Sequence, residues 1–215
     1  MTEESVNEKP FKITLIGDFG TGKTSLLTRF SRNEIESNVK QTSRIDRFLE
    51  HIYLDETNKR YLIEIWDTCG GELARSLTQN YFRNSCCTIV TFSMNDIKTF
   101  ESLNYWIAQT KLFSDTPNIP ILIVGTKNDL ENAIDIEAIN SFCNELGYPF
   151  LSCSALNNVG VHEVFKKATS LIVNDFKIVK PQHDVIDGII EVVDDNDDDN
   201  NINDPNPSPN NIGCC

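Results

Sequence analysis

Residues Gly17–Ser25 read GDFGTGKTS, directly after the apolar run FKITLI at Phe11–Ile16. The spacing Gly17-x4-Gly22-Lys23-Thr24 is the pattern of a loop that wraps phosphate groups. Each residue type has a task there. Glycine lets the backbone turn until several N–H groups face the oxygens of one anion, and the start of the following helix adds its positive end. The Lys23 ammonium is a point charge for the outer phosphates, and the Thr24 hydroxyl is an oxygen ligand for Mg²⁺. The whole stretch, Gly17, Asp18, Phe19, Gly20, Thr21, Gly22, Lys23, Thr24 and Ser25, is a candidate phosphate site. Phe19 is its odd member, a bulky aromatic beside the reacting end of a triphosphate.

The surroundings fit such a loop. FKITLIG reads as a buried strand and KTSLLTRFS opens a helix. RFLEHIYLD and RYLIEIWD, on either side of DETNK, read as the two strands of a hairpin. CTIVTFS, IPILIVG and YPFLSCS are three more strands. Helical periodicity covers Glu72–Arg83, Thr99–Phe113, Asp135–Leu146 and Val161–Lys180. Trp106, Ile107 and Phe113 recur at helical spacing and read as core, not as a cofactor box. Alternating strands and helices predict an α/β fold of three layers, α/β/α, the P-loop NTPase type. Its six-stranded sheet is mostly parallel, and the hairpin supplies one antiparallel edge strand.

At 215 residues the chain suits one domain and a tail. We expect a disordered start over residues 1–8, a folded domain over 9–180 and a disordered tail over 181–215. The net charge of −13 is concentrated: from His183 onward there are nine acidic residues and no Lys or Arg, which leaves −4 for the rest. The acidity thus belongs to the tail and not to a binding face, and no basic stripe points to nucleic acid. The tail segment DDNDDDNNINDPNPSPNN cannot bury enough apolar surface to fold. No apolar run approaches the roughly 20 residues of a membrane-spanning helix. The start, MTEESVNEK, lacks the basic end and apolar stretch of a signal peptide, which predicts a cytosolic protein. Its seven cysteines are then not a disulfide framework, and without a CxxC pair they do not suggest zinc.

Three further motifs, each after a strand, identify the nucleotide. In WDTCGGE, Trp66–Glu72, the Asp67 carboxylate is placed to hold Mg²⁺ through water, and Gly70 to offer its N–H to a γ-phosphate. In GTKND, Gly125–Asp129, the Asp129 carboxylate can accept both N–H groups on one edge of guanine, a donor pair that adenine lacks. Lys127 would lie along the base, beside Thr126. In SCSAL, Ser152–Leu156, the Ala155 N–H could meet the guanine O6, flanked by Ser154 and Leu156.

These four motifs in this order resemble a Ras-superfamily small GTPase, in particular a Rab. The resemblance covers about Lys9 to Lys180 and the terminal Cys214-Cys215, and includes NYFRNS and FESLNYW. It implies GTP and GDP as ligands, Mg²⁺ as the metal and GTP hydrolysis as the reaction. Thr42, eighteen residues after Thr24, resembles the switch threonine that closes over Mg²⁺ and the γ-phosphate. Thr24, Thr42 and Asp67 would be the metal set. Asp46 matches the family motif of the first switch, whereas its glycine is Arg44 and its aromatic has become Arg47 or slipped to Phe48. The resemblance also implies effector proteins on the switch regions, Thr42 and Gly70–Tyr81, an exchange factor, and a GDP-dissociation inhibitor or escort. The protein would be a monomer at the cytoplasmic face of membranes, in vesicle traffic, held by geranylgeranyl groups on Cys214 and Cys215.

Two departures bear on catalysis. Gly71 stands where the family has the glutamine that orients the attacking water, and it has no side chain to do so. Phe19 stands where the family has glycine or serine, next to the space for an activating protein's arginine. Such an arginine is worth about 10³–10⁵ in rate, roughly 4–7 kcal/mol of barrier. Both changes predict weak hydrolysis, with Lys23 and Thr42 still in their catalytic places. Thr126 for asparagine and Leu156 for lysine are milder changes, each expected to weaken the grip on the base. The alternative reading is a non-catalytic scaffold of this fold, tethered to a membrane with its partner surface set permanently.

Overall fold

The computed structural model describes residues 9–35, 46–68 and 81–179. Its elements in chain order are β1 (Phe11–Gly17), α1 (Lys23–Arg32), β2 (Asp46–Leu54), β3 (Lys59–Asp67), β4 (Cys87–Ser93), α2 (Ile97–Glu101), α3 (Leu103–Phe113), β5 (Ile121–Thr126), α4 (Ile136–Leu146), β6 (Phe150–Ser152) and α5 (Val161–Val179). The strands form one sheet of six in the order β2-β3-β1-β4-β5-β6. β2 runs antiparallel to β3 at the edge, and the other pairings are parallel. This is the expected α/β/α arrangement.

Two apolar layers explain the topology. Ile13 and Leu15 of β1, Ile63 and Ile65 of β3 and Leu122 and Val124 of β5 pack on one face against α1 and α5, where Phe30 lies 4.1 Å from Phe165. On the other face Ile16, Val90, Phe92, Ile121 and Ile123 pack against Leu103, Trp106 and Ile107 of α3 and Ile139 and Cys143 of α4. Every residue of β4 and β5 is buried, as strands covered on both faces require. The helices stop where their sequences say. The Asp135 carboxylate accepts from Glu137 N–H to start α4, and Gly147, at φ 72°, ends it.

The reading of one helix over Thr99–Phe113 needs correction. The segment is two helices, α2 and α3, divided at Ser102, and the first begins at Ile97. The Asp96 carboxylate caps Lys98 N–H and so starts α2 early. The Ser102 hydroxyl and the Ser102 N–H both donate to Lys98 O at 3.1 Å, a back-bond of the kind that bends helices. The last strand is also shorter than YPFLSCS implied, three residues against β5. Of the helix read at Glu72–Arg83, residues 72–80 lie outside the described residues; Tyr81 and Phe82 are helical and buried.

The parallel strands end at one edge of the sheet. That edge carries Gly17 at the end of β1, Asp67 at the end of β3, Thr126 at the end of β5 and Ser154 beyond β6. β1 sits between β3 and β4, so the chain leaves it beside a topological switch point, where open α/β sheets bind ligands.

Candidate nucleotide-binding site

The phosphate loop starts with a close approach. Gly17, at φ 144°, faces Thr91 across the β1–β4 pair, and a Cβ there would lie 2.3 Å from Thr91 O. Only glycine fits. Gly22 caps α1 at φ 84°, in the left-handed region, with no side-chain cap. A helix start of this kind presents its first-turn N–H groups to an anion. Between these glycines the loop is laced together. Lys23 is buried, and its Nζ donates to Gly17 O at 2.9 Å and Asp18 O at 2.8 Å, so the ammonium arches across the loop. The Thr21 hydroxyl donates to Asp18 O at 2.9 Å and lies 2.9 Å from the Thr91 hydroxyl. Thr126 is the structural surprise. Its hydroxyl donates to Thr21 O and also reaches Phe92 O at 3.0 Å, joining the base loop to the phosphate loop.

Phe19 is 60 % exposed, so its ring takes no part in the core. Its neighbour Asp18 is fastened instead: Trp106 Nε1 of α3 donates to Asp18 Oδ1 at 3.0 Å. Trp106 is core, as its spacing indicated, and it is also a contact of the phosphate loop.

The expected metal pair converges. Thr24 Oγ1 donates to Asp67 Oδ2 at 2.6 Å, one hydroxyl and one buried carboxylate from two separate motifs. Thr68, beside Asp67, is anchored by its hydroxyl to Leu15 O at 2.8 Å. This donor set fits Mg²⁺, a hard cation that takes one or two protein oxygens and completes its shell with phosphate and water. Among the described residues no group of three or more His, Cys, Asp or Glu could hold a metal without such help. When bound, Mg²⁺ would neutralise charge developing on the phosphate oxygens.

Beyond the loop lies a cavity of about 280 Å³, lined by Gly22, Ser25, Leu26, Ile35, Thr126, Lys127, Asp129, Leu130, Cys153, Ala155 and Leu156. Its polar end is the Asp129 carboxylate, which accepts a 2.5 Å hydrogen bond from the Ser154 hydroxyl. Ser154 Oγ in turn accepts Asn157 N–H at 3.0 Å, which fixes the loop. Lys127 sits at φ 58°, a left-handed turn that starts the base loop. Burial, with a smaller push from Asp129, raises the Cys153 thiol from 9.0 to about 12, so it lines the cavity as a neutral group. Arg29 was not foreseen. Its Nε donates to Ala155 O at 2.7 Å, and its NH1 to Asn33 O at 2.7 Å, so α1 holds the loop opposite the base.

A model of the Ras family matches residues 12–174 of the chain. The chain is 35% identical over 159 residues to the Ras-related protein YPTC6 of Chlamydomonas reinhardtii, covering 73% of this chain and 72% of that protein. It is 34% identical over 164 residues to the Ras-related protein RABD2b of Arabidopsis thaliana, covering 75% and 80%. With the GTP-binding protein ypt3 of Schizosaccharomyces pombe it shares 33% identity over 181 residues, 83% of this chain and 82% of that one. The chain belongs to the Ras family, among the Rab small GTPases.

Within this Rab-type GTPase the structure separates the two candidate residues of the first switch. In the β2–β3 register Arg47 stands opposite Trp66, and Phe48 opposite Ile65. Successive strand residues face opposite sides. Phe48 packs against the core cluster that includes α1. Arg47 is on the other face: its guanidinium lies 5.5 Å from the Trp66 ring centroid and 3.6 Å from Glu64. Lys12 Nζ lies 3.8 Å from the same ring centroid, with its pKa lowered by burial and held up by Glu64 and Asp115. Thr42, Gly70 and Gly71, and the lipidation candidates Cys214 and Cys215, lie outside the described residues.

Proposed function

We propose that the chain is a guanine-nucleotide switch of vesicle traffic that binds GTP and GDP with Mg²⁺ and hydrolyses GTP slowly. The observation that carries the reading is the alignment along one sheet edge of Lys23, the Thr24–Asp67 pair and the Asp129-capped cavity. These are the groups for outer phosphates, metal and guanine, in that order. Thr42 and the Gly70–Tyr81 region would be ordered by GTP and released by GDP, presenting a surface to effectors. On that surface Arg47 beside Trp66 would favour partners with a carboxylate. An exchange factor would reload the site, and a GDP-dissociation inhibitor or escort would carry the lipidated form.

The anchor would be two geranylgeranyl groups on Cys214 and Cys215. One lipid chain holds a membrane only marginally, and a polybasic patch often helps. This tail is acidic, so the anionic leaflet repels it and two lipids must provide the hold. Residues 181–215 would act as a spacer that keeps the domain, 9–180, off the surface. Replacing both cysteines by serine should leave a soluble protein; sedimentation of that variant with membranes would refute the anchor.

Slow hydrolysis is tested in single turnover. Gly71→Gln should raise the rate, and Phe19→Ser added to it should restore a response to an activating protein. A wild-type rate equal to that of the double variant contradicts the reading. If the purified wild type holds no guanine nucleotide and takes up none after EDTA treatment, the scaffold alternative stands in its place.

A further inference from the structure

We infer that Trp106 is a positioning residue for nucleotide binding: its indole N–H holds the Asp18 carboxylate aside and keeps a negative charge of the phosphate loop away from the bound phosphates. The inference rests on the proposed nucleotide site and concerns how tightly that site holds.

Asp18 is the junction of the loop. Its backbone carbonyl receives Lys23 Nζ at 2.8 Å and the Thr21 hydroxyl at 2.9 Å, while its side chain receives Trp106 Nε1 at 3.0 Å. One residue thus holds the lysine that meets the phosphates and carries a carboxylate of the opposite effect. The two features conflict unless the carboxylate is constrained. A loop built to collect N–H groups around an anion gains nothing from a mobile like charge, which would repel the phosphates at short range.

The constraint comes from a rigid source. Trp106 is 2 % exposed and packs among Ile16, Val90, Phe92, Leu103 and Ile107, with Tyr105 edge-on at 5.2 Å. An indole fixed on all sides cannot follow the carboxylate; the carboxylate must come to it. A buried indole N–H also needs an acceptor, so the bond is favoured from both ends. The residues are 88 positions apart, and helix periodicity alone marks Trp106 only as core.

The test separates charge placement from packing. In the full-length protein, Trp106→Phe keeps an aromatic in the core and removes the N–H. Release of fluorescently labelled GDP should become about tenfold faster, the loss of one hydrogen bond to a charged group. Asp18→Asn removes the charge while its amide oxygen still accepts from the indole, so its own release rate is the reference for the double variant. The double variant Trp106→Phe/Asp18→Asn should release GDP within about twofold of Asp18→Asn, without the tenfold acceleration of Trp106→Phe, while its melting temperature without nucleotide stays as low as that of Trp106→Phe. A double variant that releases GDP as fast as Trp106→Phe overturns the inference, since loosened packing then explains the effect. If Trp106→Phe does not fold, Asp18→Glu serves: the indole stays, the charge stays, and the longer arm misplaces the oxygen, so release should accelerate. An unaltered rate in Asp18→Glu overturns the inference. A wild type that binds no labelled GDP overturns the nucleotide site itself and the inference with it, and is told apart by that first measurement.

Discussion

The phosphate loop and the base cavity adjoin, yet they are held by different means. Around the phosphates nearly every constraint is a polar bond inside the protein: Lys23 to two loop carbonyls, Thr21 to Asp18 and Thr91, Thr126 to Thr21, Trp106 to Asp18. Around the base the walls are aliphatic, and Leu156 is 62 % exposed. The cavity's one carboxylate is Asp129, held by the Ser154 hydroxyl, and Ser25, Thr126 and Lys127 are the other polar side chains of the lining. The contrast follows from the ligand. Phosphates are alike in every nucleotide, so their grip can be strong and preset. Selection among bases needs a correctly placed acceptor in apolar surroundings, where an unpaired donor or acceptor is costly. Affinity should therefore reside at the phosphate end and choice at the base end.

The most severe test of this division is Lys23→Ala. It removes two charge-assisted bonds within the loop and the cation for the phosphates, so GTP and GDP affinity should fall at least about 100-fold. The nucleotide-dependent rise in melting temperature at a fixed GTP concentration should shrink with it, by the equivalent of about 2.7 kcal/mol for a 100-fold loss. A variant whose rise with GTP and Mg²⁺ equals that of the wild type would place the affinity elsewhere. Arg29→Ala is expected to be milder. It frees the Ala155 loop from α1 and should speed GDP release about tenfold with no change in the GTP-to-ATP ratio. A changed ratio would show that the loop selects as well as holds.

Thr126→Val probes the joint between the two ends. Losing its hydroxyl should lower stability by about 1 kcal/mol, a shift of several degrees, and weaken GTP and GDP equally. An effect of similar size concerns pH. Burial keeps the Cys153 thiol protonated to about pH 12, whereas in the unfolded chain it ionises near 9.0. The folded state then binds more protons above pH 9, so stability is full below that point and declines as pH rises toward the folded value. At pH 10 the loss is about 1.4 kcal/mol for this thiol. Urea unfolding at pH 8 and pH 10 should show a shallower decline in Cys153→Ala; an identical decline would assign it to other groups.

What the sequence disclosed follows the same division. The phosphate motif, Asp67 and Asp129 are short-range patterns attached to strand ends, and the sheet edge brings their residues together as read. The apolar runs also disclosed the layers and the antiparallel edge. The missed residues act across long separations. Arg29 looks like an ordinary cation in the last turn of α1, yet its partner is 126 positions away. Trp106 has the spacing of core and is core; its bond to Asp18 depends on where α3 docks. Arg47 and Phe48 could be told apart only when the β2–β3 register assigned them to opposite faces. The division of α2 from α3 at Ser102 falls within one run of helical spacing, so no apolar period reveals it.

The central claim is that Asp129 makes this a guanine site, and competition against fluorescently labelled GDP tests it most directly. With excess Mg²⁺, GTP should displace the label from the wild type at concentrations at least about 100-fold below ATP, the worth of two hydrogen bonds to a carboxylate. Asp129→Asn should lose most of that ratio, because an amide cannot accept from both guanine N–H groups. Equal displacement by ATP and GTP in the wild type would contradict the account.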